Sequence, residues 1–314
     1  NPNVGDTQTR TFDRLENGEL KALYIIGENP LLADVHMNHT KELMKKLDLL
    51  IVQDIFLTET AKMADVVLPA CSWGEVDGTY TNTDRRIQRV RKAVEPGINV
   101  KEDWVILCEL STIMGYPMNY SNSEEIWNEV RKLAWEMYGG ISYERLEKEY
   151  SIHYPCPTED HPGTFVSHER FHNQETIAKK SPFVPVDFTP PLELPDQEFP
   201  FTLTTGRRYE SYNTHSQTRY YAAGVKVKQT EETVDIHPDD AQALGITDGE
   251  MVQVRSRRGE LKVKAKITEQ VVPGLVFMSF HWSETPTNVL TLNEYDPISG
   301  TAEYKACAVA ISKV

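Results

Sequence analysis

The chain has 314 residues, 39% apolar and 25% charged, enough to bury a sizeable core and to form about two domains. Asp and Glu outnumber Lys and Arg by 47 to 33 for a formal charge of -14, so the surface repels nucleic-acid backbones and any anionic ligand needs a local basic or amide-lined site. No apolar run is long enough to span a membrane. The cysteines, Cys71, Cys108, Cys156 and Cys307, are too dispersed for a clustered zinc or iron–sulfur site and read as buried free thiols of a reducing, cytoplasmic setting.

The opening Asn1-Pro2-Asn3-Val4-Gly5 has no Met or signal peptide, and the polar stretch Asn1 to Glu19 reads as a connection arriving from something upstream. Short apolar runs follow at Ala22 to Ile26, Leu49 to Val52 and Ala64 to Leu68, the pattern of buried parallel strands. Between them Thr40 to Leu47 carries Leu43, Met44 and Leu47 at helical spacing. Further helices are expected over Asp103 to Met114 and Ser123 to Tyr138, the latter capped by Ser121 or Ser123 and stopped by Gly139-Gly140. The fold class is therefore α/β with a parallel sheet over residues 1–153. Nine of the 18 prolines fall between Tyr154 and Pro200, so 154–200 is expected to be an extended, surface-hugging connector. Residues 201–314 alternate as strands at Phe201 to Thr205, Met251 to Ser256, Leu261 to Ile267, Gly274 to Phe280 and Ala308 to Ile311. With one short helix at His237 to Gly245, this part reads as a small closed β-barrel.

Three loops follow strands where an open α/β sheet places ligands. Gly27-Glu28-Asn29-Pro30 offers backbone approach and polar side chains; Asp54 stands where it can accept from a guanine edge, with Thr58 able to cap the next helix. Pro69 to Asn82 crowds Glu75, Asp77, Gly78, Thr79 and Asn82 into one loop. Each is equally an ordinary βα turn. In the last third, Gly206-Arg207-Arg208 joins glycine to two guanidinium groups suited to phosphate, and Asn213, Thr214, His215, Ser216, Gln217 and Thr218 add short polar groups, unless the run is simply a solvated loop. Phe280-His281-Trp282, Asn288 and Glu303-Tyr304-Lys305 either bind a heterocycle or are a core strand with polar flanks.

Taken in order, the stretches Tyr24 to Pro30, Val52 to Phe56, Thr58 to Pro69, Gly78 to Arg86, Pro155 to Thr164, Thr205-Gly206-Arg207, Asn293 to Ser299 and Glu303-Tyr304-Lys305 resemble the C-terminal half of the molybdopterin oxidoreductase family, specifically formate dehydrogenase catalytic subunits. The runs Thr58 to Pro69 and Pro155 to Thr164 are the specific ones. The resemblance implies molybdenum or tungsten held by two molybdopterin guanine dinucleotides, with a C-terminal barrel of the double-psi type closing over the pterins. Carried over residue by residue, it assigns Gly27, Glu28, Asn29, Asp54 and Thr58 to a guanosine end. Gly206, Arg207, Asn213, Ser216, Asn288, Tyr304 and Lys305 go to phosphate and pterin. Ser211 stands where relatives often have His, and Phe280 where some have Tyr. The family's 4Fe-4S motif and its Cys or selenocysteine metal ligand belong upstream of this stretch, so no catalytic or metal-ligating residue is assigned. The implied reaction is two-electron oxidation of formate to CO2, with the upstream half of the subunit and iron–sulfur electron-transfer subunits as partners. A nitrate reductase of the same family, or a scaffold subunit that has lost the metal, are the alternatives.

Overall fold

The computed structural model describes residues 5–167, 183–220 and 230–314; the expectations placed on residues 1–4, 168–182 and 221–229 lie outside them. By internal packing the chain forms two compact units, residues 1–67 with 188–314, and residues 68–187.

In the first unit β1 (Ala22–Ile26) pairs in parallel with β2 (Leu49–Asp54), in register from Ala22 opposite Leu49 to Ile26 opposite Gln53, and β3 (Val66–Pro69) lies beside β2. Leu50, Val52 and Ile25 are buried with Leu31, Met44 and Ala61 from the crossover helices, as apolar runs in a parallel sheet require. The expected helix at 40–47 runs instead from Met37 to Met44, starting at His36 in a left-handed conformation. The polar opening is not only a connection. Gln8–Glu16 is a helix whose N-cap Thr7 accepts the Arg10 N–H, and its apolar face buries Leu15.

The rest of this unit is a closed barrel of six strands in the order β10-β8-β11-β7-β12-β9. They span Phe201–Gly206 (β7), Thr233–Ile236 (β8), Met251–Arg255 (β9), Glu260–Ile267 (β10), Leu275–Ser279 (β11) and Cys307–Lys313 (β12). Pairs β7–β11 and β8–β10 are parallel, the other described pairs antiparallel. Period-two alternation sends Leu203, Val234, Ile236, Val252, Val254, Val276 and Met278 into the interior, all fully buried. The helix Pro238–Leu244 ends at Gly245 in the left-handed region, as its proline and glycine dictate. β8 escaped the sequence because its four residues include a charged position, Asp235.

The second unit corrects two readings. The crowded loop Pro69 to Asn82 contains a strand, β4 (Gly78–Thr81), paired antiparallel with β5 (Arg86–Val90), which pairs with β6 (Ser151–His153). Residues 155–164 are packed rather than surface-hugging: Cys156 is fully buried with Ile87, Ile141, Leu146 and Ile152. Arg85 donates to the carbonyls of Tyr154 and Thr164, and Arg145 to those of Gly140 and His161, satisfying backbone that has no ladder partner. Helices Asp103–Ile113 and Ser123–Leu133 form as expected, but Asn122 is the cap of the second, and the chain breaks at Ala134 before a last turn Trp135–Tyr138. All four cysteines are free and buried.

A Cβ on Gly140 would lie 1.9 Å from the Thr158 carbonyl oxygen, with backbone rather than a movable side chain in the way. Gly140→Ala is therefore expected to destabilise the second unit by about 1–3 kcal/mol, measured as a lowered urea midpoint followed by protease cleavage within residues 68–167.

Candidate functional site

The candidate site is a cavity of about 430 Å³ in the first unit. β1 delivers Gly27 and Glu28 to it. Gly27 adopts φ +65 while its N–H donates to Gln53 O, and a Cβ there would meet nothing, so the glycine serves the turn and not the space. Asn29 lines the cavity with its amide engaged behind it: Oδ1 accepts from the Thr60 N–H and hydroxyl, and Nδ2 donates to Glu59 at 2.9 Å. At the end of β2, Asp54 folds one carboxylate oxygen onto the Ile55 and Phe56 amides, which turns the chain and brings the Phe56 ring to the wall.

The barrel supplies the opposite chemistry. Arg207 leaves β7, donates Nε–H to Asn213 Oδ1 at 3.0 Å and sits 5.6 Å from the Phe280 ring centroid. Lys305 donates to Thr205 O at 2.5 Å; burial, and then the neighbouring Arg207, hold its ammonium below the usual lysine range. Asn213 and Ser216 also line the cavity, Ser216 sharing a hydrogen bond with Thr214 at 2.7 Å. The Tyr304 hydroxyl is pushed up to about 12, by burial and then by Asp34 and Glu28, so it stays a neutral donor. Asp34 stands behind the wall with Oδ1 accepting from Gln8 and Oδ2 buried without a partner. Burial, and then Glu28, raise this carboxyl to about 7. Carboxylates thus come from the α/β strand ends and cations from the barrel, with Phe56 and Phe280 as apolar faces. Such a wall can hold a heterocycle by its edge and a phosphate by its charge.

Of the twelve candidate residues, nine meet at this cavity: Gly27, Glu28, Asn29, Asp54, Arg207, Asn213, Ser216, Tyr304 and Lys305. The other three do not line it. Thr58 is buried as the N-cap of helix Glu59–Met63, accepting from the Ala61 N–H. Gly206 packs where a Cβ would come within 2.8 Å of the Phe277 ring. Asn288 is buried with Nδ2 donating to the carbonyls of Leu32 and Ala33, tying the barrel to the turn after β1. The second of the paired arginines also turns away: Arg208 makes a bidentate pair with buried Asp235, 3.0 Å at its closest. Phe56, Tyr212 and Asp34 were missed. Phe56 and Tyr212 flank singled-out residues, so the signal lay one or two positions away; Asp34 had none.

Residues 3–113 match the family model described as Molybdopterin oxidoreductase, and residues 201–308 the Molydopterin dinucleotide binding domain. The chain is 46% identical over 318 residues to the F420-dependent formate dehydrogenase subunit alpha of Methanocaldococcus jannaschii, covering 100% of this chain and 46% of the relative. It is 35% identical to the assimilatory nitrate reductase catalytic subunit of Bacillus subtilis, covering 99% and 44%. The chain thus spans less than half the length of these relatives. Acetylene hydratase from Pelobacter acetylenicus shares the fold, with TM-score 0.72, 20% identity, and coverage of 96% of this chain and 46% of that one.

Because the Asp34 carboxyl is raised to about 7 from an ordinary 3.8, the folded state holds its proton longer than the unfolded chain. Stability therefore falls as pH rises from about 4 to 7, and the cost is complete above that. Asp34→Asn, which keeps an acceptor for Gln8, is expected to raise stability by up to a few kcal/mol, with the gain growing across that window. Urea midpoints of both proteins at pH 5 and pH 8 measure it, and an equal gain at both would contradict the assignment.

Proposed function

Because the chain belongs to the molybdopterin oxidoreductase family, we propose that it is the cofactor-binding part of a formate dehydrogenase catalytic subunit, one that oxidises formate to CO2 or runs the reverse reaction. The observation that carries the reading is the cavity's division of labour. Acceptors at Glu28 and Asp54 suit the N–H edge of guanine, while Arg207 and Lys305 suit phosphate. A volume of about 430 Å³ with two aromatic faces accommodates one nucleotide end of such a cofactor, and Tyr304 and Asn213 supply neutral polar contacts beside it. The residues present therefore fit a molybdopterin guanine dinucleotide. Within the proposal residues 1–153 address one dinucleotide and 201–314 close over a pair, joined by 154–200.

When bound, the molybdenum or tungsten centre accepts the two electrons. The chain's own residues do something different: they bind, orient and neutralise. Arg207 offsets phosphate charge in a protein whose net charge of -14 otherwise opposes it. The 4Fe-4S cluster and metal ligand are assigned to the part of the relatives that this chain does not span, with iron–sulfur subunits as electron acceptors. Four free thiols favour a reducing, cytoplasmic setting. Identity to a nitrate reductase keeps that substrate as the second reading.

Two measurements test this. The intact protein should contain molybdenum or tungsten with guanine nucleotide, and reduce a dye with formate and not oxidise one with nitrate; the opposite pattern transfers the proposal to the second reading. Arg207→Ala should weaken cofactor retention about 10- to 150-fold, the equivalent of one charge-assisted contact of about 1.5–3 kcal/mol. Unchanged pterin content would mark Arg207 as a solvated side chain.

A further inference from the structure

One side chain holds both ends of the segment that carries Arg207 to Asn213. His281, two residues past β11, is fully buried. Its Nε2 accepts the Arg208 backbone N–H at 2.8 Å, and its Nδ1 meets the Asn213 carbonyl oxygen. An amide N–H only donates and a carbonyl only accepts. Nε2 must therefore carry a lone pair and Nδ1 the proton, so a single neutral tautomer satisfies both bonds. Asn213, at the far end of that segment, takes a positive φ of +46, and His215 two residues beyond it one of +60, a region that L side chains rarely adopt.

We propose that His281 is the positioning residue of this cavity: as the neutral imidazole it holds Arg207 and Asn213 against the bound anion, and its protonation releases the segment. This rests on the reading of the cavity as a dinucleotide cradle. A protonated ring has no lone pair, so the Arg208 amide would be left facing an N–H in a site closed to water. The groups around it oppose that change. Burial lowers the affinity of the ring for a proton, the Asn213 carbonyl raises it, and His215, Arg207 and Arg208 lower it further. His215 stands on the clamped loop and packs on Trp282 with ring centroids 4.6 Å apart. From β8, Asp235 pairs with Arg208, and Glu232 just before that strand bonds the Ser279 amide; burial raises the Glu232 carboxyl to about 7, and neither carboxyl hydrogen-bonds the ring. The net direction is below the ordinary histidine range, so the clamp holds through neutral pH. It fails in acid, because the released state then binds one more proton than the held one.

The test replaces the ring with a group that keeps a donor and an acceptor. Glutamine offers an oxygen for the Arg208 N–H and an N–H for the Asn213 carbonyl, but does not titrate. In the intact protein, hydrogen–deuterium exchange of residues 207–218, corrected for the intrinsic pH dependence of exchange, is followed from pH 8 to pH 5. Wild type should lose protection by up to tenfold per pH unit once His281 titrates. His281→Gln should keep protection flat across the range, and His281→Ala should lack it at every pH. Parallel acid loss in wild type and His281→Gln, or full protection in His281→Ala, would overturn the proposal. Guanine nucleotide retained after gel filtration is read on the same samples. Retention should track protection. If protection behaves as expected while no variant changes retention, the clamp stands and the cradle reading fails.

Discussion

The last rung of the β7–β11 pair governs the rest of the site. The two strands are parallel and end together, with Gly206 opposite Ser279. Parallel partners leave a sheet in the same direction, so the exits Arg207-Arg208 and Phe280-His281 emerge side by side rather than at opposite ends. Gly206 is what lets them run so close, since any Cβ there would press on the Phe277 ring. The third neighbour arrives by hydrogen bonds to the same strand end: the Thr205 hydroxyl donates to Tyr304 O, and Lys305 Nζ to Thr205 O. Residues about a hundred positions apart are thereby brought to one strand terminus, and the cavity's cationic half follows from that meeting.

An acidic chain can offer a cation to a ligand only where that cation is kept away from the chain's own carboxylates. In the barrel unit Arg208 pairs with Asp235, Arg219 with Glu59 and Glu284, Arg255 with Glu198, and Arg257 and Arg258 with Glu193. Arg207 is handled differently, its Nε bonded to the neutral amide of Asn213. A neutral partner orients a guanidinium without consuming its charge, which leaves it available to a ligand phosphate. The acceptor side is balanced in a comparable way. Glu28 lies at the wall, while Asp34 behind it is held toward the protonated form by burial and by Glu28 itself. Two carboxyls near one another thus bring less than two negative charges to a site that takes an anion.

How much of this was legible depended on whether a residue's role is local. The parallel strands announced themselves as short unbroken apolar runs, although only the face that carries Leu50 and Val52 is fully buried and Leu49 is exposed; the barrel strands announced themselves by alternation, with Val252 and Val254 buried. Strand-end residues such as Gly27, Asp54 and Arg207 were readable as cavity-lining positions for the same reason: a strand terminus is a position in the sequence. The failures share the opposite cause. β4 and β5 carry exposed polar residues such as Thr81 and Gln88, so no alternation marks them off from a loop. Asn288 and Thr58 look like ligand residues by type, yet the Asn288 Nδ2 is spent on Leu32 and Ala33 and the Thr58 hydroxyl on Ala61, partners that only the folded chain brings near in the first case. Asp34 is conspicuous only once burial and the neighbouring Glu28 are known. The Pro155 to Thr164 run looked like a connector because proline cannot enter a ladder, but Arg85 and Arg145 satisfy its carbonyls and let it pack.

The adjacent arginines show how local geometry turns one motif into two functions. Arg207 lines the cavity and Arg208 does not, although both border the neighbouring cleft along β8. Arg207 takes the ligand side. Arg208 is sent toward β8, where buried Asp235 otherwise has only the more distant Lys266 ammonium, at 3.7 Å, to balance its charge. The backbone between them must then be fixed, because a rotation of the chain there would exchange the two roles. His281 supplies that constraint by taking the Arg208 N–H itself. The guanidinium at the cavity wall and the one paired with Asp235 are thus separated by a single peptide unit, whose N–H is held by the buried imidazole of His281.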